Sequence, residues 1–469
     1  MNLPTAPAKL FDRYSGAFQV KDGRVQLSDR LKFSEEALEP LLYHAVFSND
    51  RDIKGACRWL IKMAAIESNI HSASIQKLYE AKGSGLETGY TVPAINIRGL
   101  TYDMARAIFR AAKKNRSGSF IFEIAKSEIG YTFQSPSEYS VVVLAAAIRE
   151  GYEGPVFIQG DHFQANAKKF AENPLRETDG LKALIREAID AGFYNIDIDT
   201  STLVDLNQAT VKEQQRVNFE LAAELSAYIR SLQPKGITIS IGGEIGEVGG
   251  KNSTVEELEV FMDNYLNVLR TRYREETGIS KISIQTGTSH GGVPLADGSI
   301  AKVKLDFETL RNLSKVSREK YRLSGAVQHG ASTLPDEAFD RFPETGTSEI
   351  HLATGFQNLL YEHPRFPKAL KDEIYQYLRD HLASEKKKDE TDEQFIYKTR
   401  KKGFGFFKER IWTLPPDVRN EIGQALEAKF DFLFKKLRSV DTYERVKRLV
   451  PLIPVIPSLQ SEIERSGSS

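Results

Sequence analysis

From Thr91 onward the chain alternates between two kinds of apolar pattern. Short runs rich in β-branched and aromatic residues read as strands buried on both faces: TVPAINI (91–97), SFIFEIA (119–125), PVFIQGDH (155–162), NIDIDT (195–200), ITISIGGEIG (237–246), KISIQTG (281–287), LSGAVQHG (323–330) and EIHLATG (349–355). Between them, TYDMARAIFRAAKK, SEYSVVVLAAAIREG, GLKALIREAIDAG, EQQRVNFELAAELSAYIRSL, TVEELEVFMDNYLNVLRTRY and FETLRNLSKVS repeat apolar residues at helical spacing. A shorter PDEAFDRF precedes the eighth strand. Eight strands alternating with helices over about 270 residues predict an α/β fold, a (β/α)8 TIM barrel.

The flanks read differently. Residues 1–88 form an N-terminal helical extension, with EEALEPLLYHAVFS and DIKGACRWLIKMAAIESNI at helical spacing and GSGLETG (Gly83–Gly89) as a linker. His44 and His71 have no ligand-type neighbours there and read as ordinary helix residues. The barrel takes 89–358, and 359–469 is a charged C-terminal helical extension. Within it KKKDETDE reads as a solvated turn, the basic KTRKKGFG as a solvated helix end, and the tail SEIERSGSS as disordered.

Composition narrows the function. Lys+Arg 64 against Asp+Glu 64 leaves no net charge, so nothing calls for nucleic acid or an anionic membrane. Cys57 is the single cysteine, which excludes an internal disulfide and any multi-cysteine metal site. The start MNLPTAPAKLFDRYSG has no apolar core of signal-peptide length, and no uncharged run reaches membrane-spanning length. The expectation is a cytoplasmic enzyme.

Residues at the carboxyl ends of barrel strands converge on one mouth. His162 (third strand), Glu244 (fifth), His290 (sixth) and His329 (seventh) stand at such ends, and three of only eight histidines share that placement. Three imidazoles and a carboxylate suit Zn2+ or a similar divalent ion with a position open for substrate. Asp161 precedes the first of these, and His351 lies inside the eighth strand. Glycines follow them in GGEIGEVGG (242–250), HGG (290–292) and HGAS (329–332), and read either as tight βα turns or as a backbone cradle for an anion, with Ser332 adding a hydroxyl.

The motifs TVPAINI…YDMARAIFRAA, GDHFQANAKKF, IDIDTS, GGEIGEVGG, SHGG, QHGAS and HLATG stand in the order used by the class II, metal-dependent ketose-bisphosphate aldolases. From Thr91 to Phe356 the chain resembles a divergent member of that fructose-/tagatose-bisphosphate aldolase family. The resemblance implies that His162, His290 and His329 hold zinc with Glu244 beside it, and that Asp199 serves a secondary metal position. It implies that Asp161 exchanges a proton with the aldehyde-derived oxygen. It gives Gly291, Gly330 and Ser332 to the phosphate loops, and Asn96, Lys251, His351 and Thr354 to the substrate side. The activity implied is aldol cleavage or condensation of a ketose or ketose phosphate through a zinc-stabilised enediolate, in a homo-oligomer of two or more chains. Four positions depart from the family pattern: Lys251-Asn252, Ala125, Ala331 and His351 stand where it has an acid-bearing loop, a serine, a glycine and an asparagine. These changes leave the metal site intact and remodel the phosphate site and the proton shuttle. An epimerase working by retro-aldol chemistry, or a non-catalytic aldolase-like subunit, is the alternative.

Overall fold

The computed structural model describes residues 3–246, 251–287 and 305–467. Eight parallel strands close on themselves: β4 (Val92–Asn96), β5 (Ile121–Ala125), β6 (Gly154–Gln164), β7 (Asn195–Asp199), β8 (Ser240–Glu244), β9 (Lys281–Ile284), β10 (Ala326–Gln328) and β11 (Glu349–Leu352). Each pairs with its sequence neighbours, and β11 pairs back to β4 with His351 opposite Ala94. All eight strands expected from the alternation are present, and this is the (β/α)8 barrel. β4, β5, β7, β8 and β9 are buried along their whole length because helices cover one face and the barrel interior the other.

The N-terminal segment is mostly helical, but it also holds strands that helical spacing did not reveal. β1 (Phe18–Lys21) and β2 (Arg24–Leu27) make a hairpin, and β3 (Ile70–Ala73) joins the barrel sheet alongside the first residues of β6. His71 therefore sits in a buried strand, not a helix. Asn195 fixes this junction: its side chain accepts from Ile75 N–H (2.8 Å) and donates to the Ala73 carbonyl (3.1 Å). The helix that follows, Gln76–Gly83, points Tyr79 into the amino-terminal end of the barrel, where its hydroxyl donates to Glu349.

That contact leads to an unusual interior. Barrels of this class are normally filled by branched apolar side chains. Here Glu123, Gln159, Asp197, Lys281, Glu349 and His351 are all buried inside. Asp197, Gly242 and Lys281 lie side by side on β7, β8 and β9. A β-carbon at 242 would overlap Asp197, so the glycine lets Lys281 reach across to it (Nζ–Oδ2 2.9 Å). Lys281 also meets Glu349 (2.5 Å) and donates to Gln159 Oε1 (2.8 Å). Burial pushes the Asp197 carboxyl up to about 6, although Lys281 pulls it down. The first glycine of GGEIGEVGG thus serves the interior ion pair, neither a turn nor an anion cradle.

The two extensions pack on each other and on the barrel. Lys62 and Glu462 form a buried pair (2.7 Å) joining the helices Arg51–Glu67 and Leu459–Arg465. The helix Pro416–Lys436 is tied to Thr101–Asn115 by Arg110–Glu427 (2.6 Å) and Arg419–Asp103 (3.2 Å). Among the described residues, no helix is long and apolar enough to cross a membrane.

Candidate metal centre

Two consecutive residues of a regular strand point to opposite faces, so Asp161 and His162 should not both reach one mouth. A bulge resolves this. The pairing of β6 with β7 shifts register between Gly160 and Phe163, and His162 takes a left-handed backbone (φ 42°). A non-glycine residue in that region is strained, and such strain collects at functional sites. The bulge puts Asp161 and His162 on the same cavity.

That cavity, of about 570 Å³, opens at the carboxyl ends of the strands. Asp161, His162, His329, Gly330, Ser332, His351, Asn96 and Thr354 line it. The His329 ring lies between the other two, with centroids 4.2 Å from His162 and 4.0 Å from His351. Asp161, His162 and His329 each offer a ligand atom within 4.8 Å of the others, and so do His162, Asp199 and Glu244. His290 and Gly291 lie outside the described residues.

The acids fix the histidines. Asp199 Oδ2 is 3.2 Å and Glu244 Oε2 3.5 Å from His162 Nδ1, while Asp161 Oδ1 is 3.8 Å from Nε2. Asp199 is itself held by Ser201, which donates through its hydroxyl (2.8 Å) and its N–H (3.1 Å), and by Gln164 Nε2 (2.5 Å). Its carboxyl stays below the usual range because these hydrogen bonds and His162 outweigh burial. Burial alone would lower His162, but Asp161, Glu244 and Asp199 raise it well above the ordinary imidazole value. The site concentrates negative charge around imidazole nitrogens, a donor set that fits a borderline divalent cation such as Zn2+. Ser283 Oγ, 3.0 Å from His329 Nε2, steadies the second ring.

His351 lines the mouth and is buried. Its Nδ1 is 3.0 Å from Glu123 and 3.2 Å from Asp161, and its Nε2 is 2.7 Å from Glu349. It connects the cavity to the ionic interior. Burial pushes Glu123 up to about 8, against the pull of His351. His351 is raised well above its ordinary value, because Glu123 and Asp161 outweigh burial.

The substrate side is polar and cationic. Asn96 Oδ1 is buried with no hydrogen-bond partner among the described residues. Gly330 is left-handed (φ 67°), a conformation that favours glycine, and it starts the turn that carries Ser332. Ser332 Oγ accepts from Gly355 N–H (3.2 Å), which leaves its proton to donate. Thr354 accepts from Arg98 (3.3 Å). Lys126 lines the cavity and donates to the Gln164 carbonyl (2.8 Å). Lys251 does not line it: its ammonium pairs with Glu257 at 2.8 Å, at the start of the helix Val255–Tyr273.

Several lining residues were missed in the sequence, Arg98, Glu123 and Lys401 among them. Arg98 follows the end of the first barrel strand, the position that singled out the histidines, and it is anchored by Glu128 (2.7 Å) and Gln357 (2.9 Å). Glu123 was hidden inside an apolar run. Lys401 overturns the reading of KTRKKGFG as a solvated end: it lines the mouth, while Arg400 beside it is buried and Phe404 packs over Gly99. Nothing local in the sequence signals that return.

A family model for class II fructose-bisphosphate aldolase matches residues 78–403, well over half of the chain. The match starts in the helix beneath the barrel and runs past Lys401. A solved structure from Sinorhizobium meliloti 1021, described as a probable tagatose 6 phosphate kinase, has the same fold. It is 15% identical with a TM-score of 0.50, and the match covers 81% of this chain and 98% of that one. A fructose-bisphosphate aldolase from Campylobacter jejuni is 17% identical over 80% of this chain and 96% of its own, with a TM-score of 0.46. With its closed barrel, its acid-flanked histidines at the strand ends and the family model matching residues 78–403, the chain belongs to the class II fructose-bisphosphate aldolase family, whose members are aldolase-type, typically metal-dependent enzymes.

Proposed function

We propose that the protein cleaves or forms a carbon–carbon bond in a ketose or ketose phosphate, using a divalent ion held by His162, His290 and His329 with Glu244 alongside. The observation that carries this reading is the meeting of Asp161, His162 and His329 within ligand distance in one cavity. Zn2+ bound there would supply a Lewis acid that stabilises negative charge developing on the ketose carbonyl oxygen.

The chain's own groups do the rest. In cleavage Asp161 accepts the proton of the carbinol hydroxyl. The carbon–carbon bond beside it breaks, the aldehyde leaves, and the electron pair stays on the ketose fragment. In condensation Asp161 returns the proton to the newly formed hydroxyl. His351, in contact with Asp161, holds that carboxylate in place. Asn96 Oδ1 is a ready acceptor for a substrate hydroxyl, and Ser332 a donor. Lys401 and Lys126, the latter also paired with Glu177 (3.3 Å), stand at the rim, where they suit a phosphate or other anionic group on the substrate.

The test is to strip the protein of metal, reload it with Zn2+, and follow ketose mono- and bisphosphates by NMR. Aldehyde release that needs the metal is the expected result. Inversion of a carbinol centre without release would assign an epimerase, and no turnover of any ketose by the loaded protein would leave a non-catalytic subunit.

A further inference from the structure

A second cavity, of about 320 Å³, lies at the opposite end of the barrel from the mouth. It is walled by the loop that leads into β4, by the helix Phe307–Tyr321 and by the turn that leads into β11. Four basic side chains line it against two acidic ones, Glu87 and Glu344. Arg311, Lys315 and Arg318 stand at i, i+4 and i+7 of that helix and all line the cavity, with Lys82 facing them from the helix Gln76–Gly83. Like charges four residues apart repel along a helix.

The cavity's acids are already committed. Glu87 pairs with Arg445 (3.0 Å) and Glu344 with Arg438 (3.1 Å), and neither arginine lines the cavity. Among the described residues, Lys82, Lys315 and Arg318 have no carboxylate within 4 Å; Arg311 has Glu308 at 3.9 Å, in solvent. Lys82 is the telling residue. It is 4% exposed, its ammonium donates to the Tyr90 carbonyl (2.7 Å) and lies 3.9 Å from the centre of the Tyr90 ring. Burial, with Arg318 adding repulsion, pushes it down to about 7. A buried ammonium without a carboxylate is costly unless a counter-charge arrives.

We propose that this cavity binds the phosphate group of a small molecule, with Lys82, Arg311, Lys315 and Arg318 as its counter-charges. Arg318 donates one N–H to the Gly346 carbonyl, which holds the guanidinium in place and leaves its other donors for the ligand. The volume is in the range of small-molecule pockets and much larger than a bare phosphate needs. A phosphomonoester therefore fits better than inorganic phosphate. This site is separate from the mouth, and it stands whether or not the aldol reading does.

The test is calorimetric titration of the full chain with glycerol phosphate and with inorganic phosphate, at constant ionic strength. Four forms are compared: wild type, Arg311→Glu/Lys315→Glu and Arg311→Gln/Lys315→Gln at this cavity, and Lys126→Glu at the mouth. Both altered lysines and Arg311 are solvent-reaching, and Arg311→Gln/Lys315→Gln with an unchanged unfolding midpoint serves as the milder control. The expected result is a binding event weakened at least tenfold by either cavity pair and unaffected by Lys126→Glu. Tighter binding of the ester identifies the phosphomonoester as the natural class, and equal binding identifies free phosphate. Binding that survives both cavity pairs, that disappears with Lys126→Glu, or that is absent into the millimolar range overturns the proposal.

Discussion

Phe163 folds back over Gly160, and its ring fills the space that any β-carbon at 160 would need. The two residues bound the register shift in β6, so this contact shapes the bulge that turns His162 toward Asp161. Gly160→Ala must push the ring or the backbone aside. Overpacking of this kind costs about 1–3 kcal/mol. The expected outcome is a lower thermal midpoint together with weaker metal retention, read by elemental analysis. An unchanged midpoint and full metal content would mean that the bulge forms without this contact.

Asp161→Asn keeps the shape of the side chain and removes its basicity. Turnover should fall by at least ~100-fold, the scale of losing a general acid–base group. Metal content should stay the same. A wild-type rate would assign Asp161 to the shape of the bulge alone.

Lys281 neutralises Glu349 and Asp197 inside the barrel. Lys281→Met leaves Asp197 and Glu349 with His351 as their basic neighbour, and removing one partner of a buried pair in this way costs about 3–5 kcal/mol in denaturant unfolding. Adding Glu349→Gln should recover part of that loss. If the losses of Lys281→Met and of Glu349→Gln alone simply add in the double variant, the two side chains do not interact.

Lys82 gives stability a pH dependence of definite sign. Its folded value is about 7 against the usual 10.5, so between these the unfolded chain binds a proton that the folded chain does not. Stability therefore rises with pH across that window, with a contribution of up to about 1.4 kcal/mol per pH unit, and is flat below it. In phosphate-free buffer Lys82→Met should remove this part of the slope. An identical slope in the variant would mean that Lys82 stays charged in the fold.

The alternation of apolar runs from Thr91 to Gly355 determined the eight barrel strands by itself, because short β-branched runs recur between longer helical patterns; the buried Ile70–Ala73 strand, outside that alternation, left no such signal. The same runs placed Asp161, His162, Glu244 and His329 at strand ends, where closure of a parallel barrel must gather them. Tertiary structure decided what local pattern does not encode. Consecutive Asp161 and His162 share a cavity only because a bulge breaks the two-residue period. Lys281 and Asp197 meet only because Gly242, on the strand between them, has no side chain. Lys401 joins the mouth from 49 residues beyond the last barrel strand, which ends at Leu352, and Lys251 leaves it for Glu257. Strand-forming pattern is a property of neighbours in sequence, whereas the partner of a charge is chosen across the sheet by register and room.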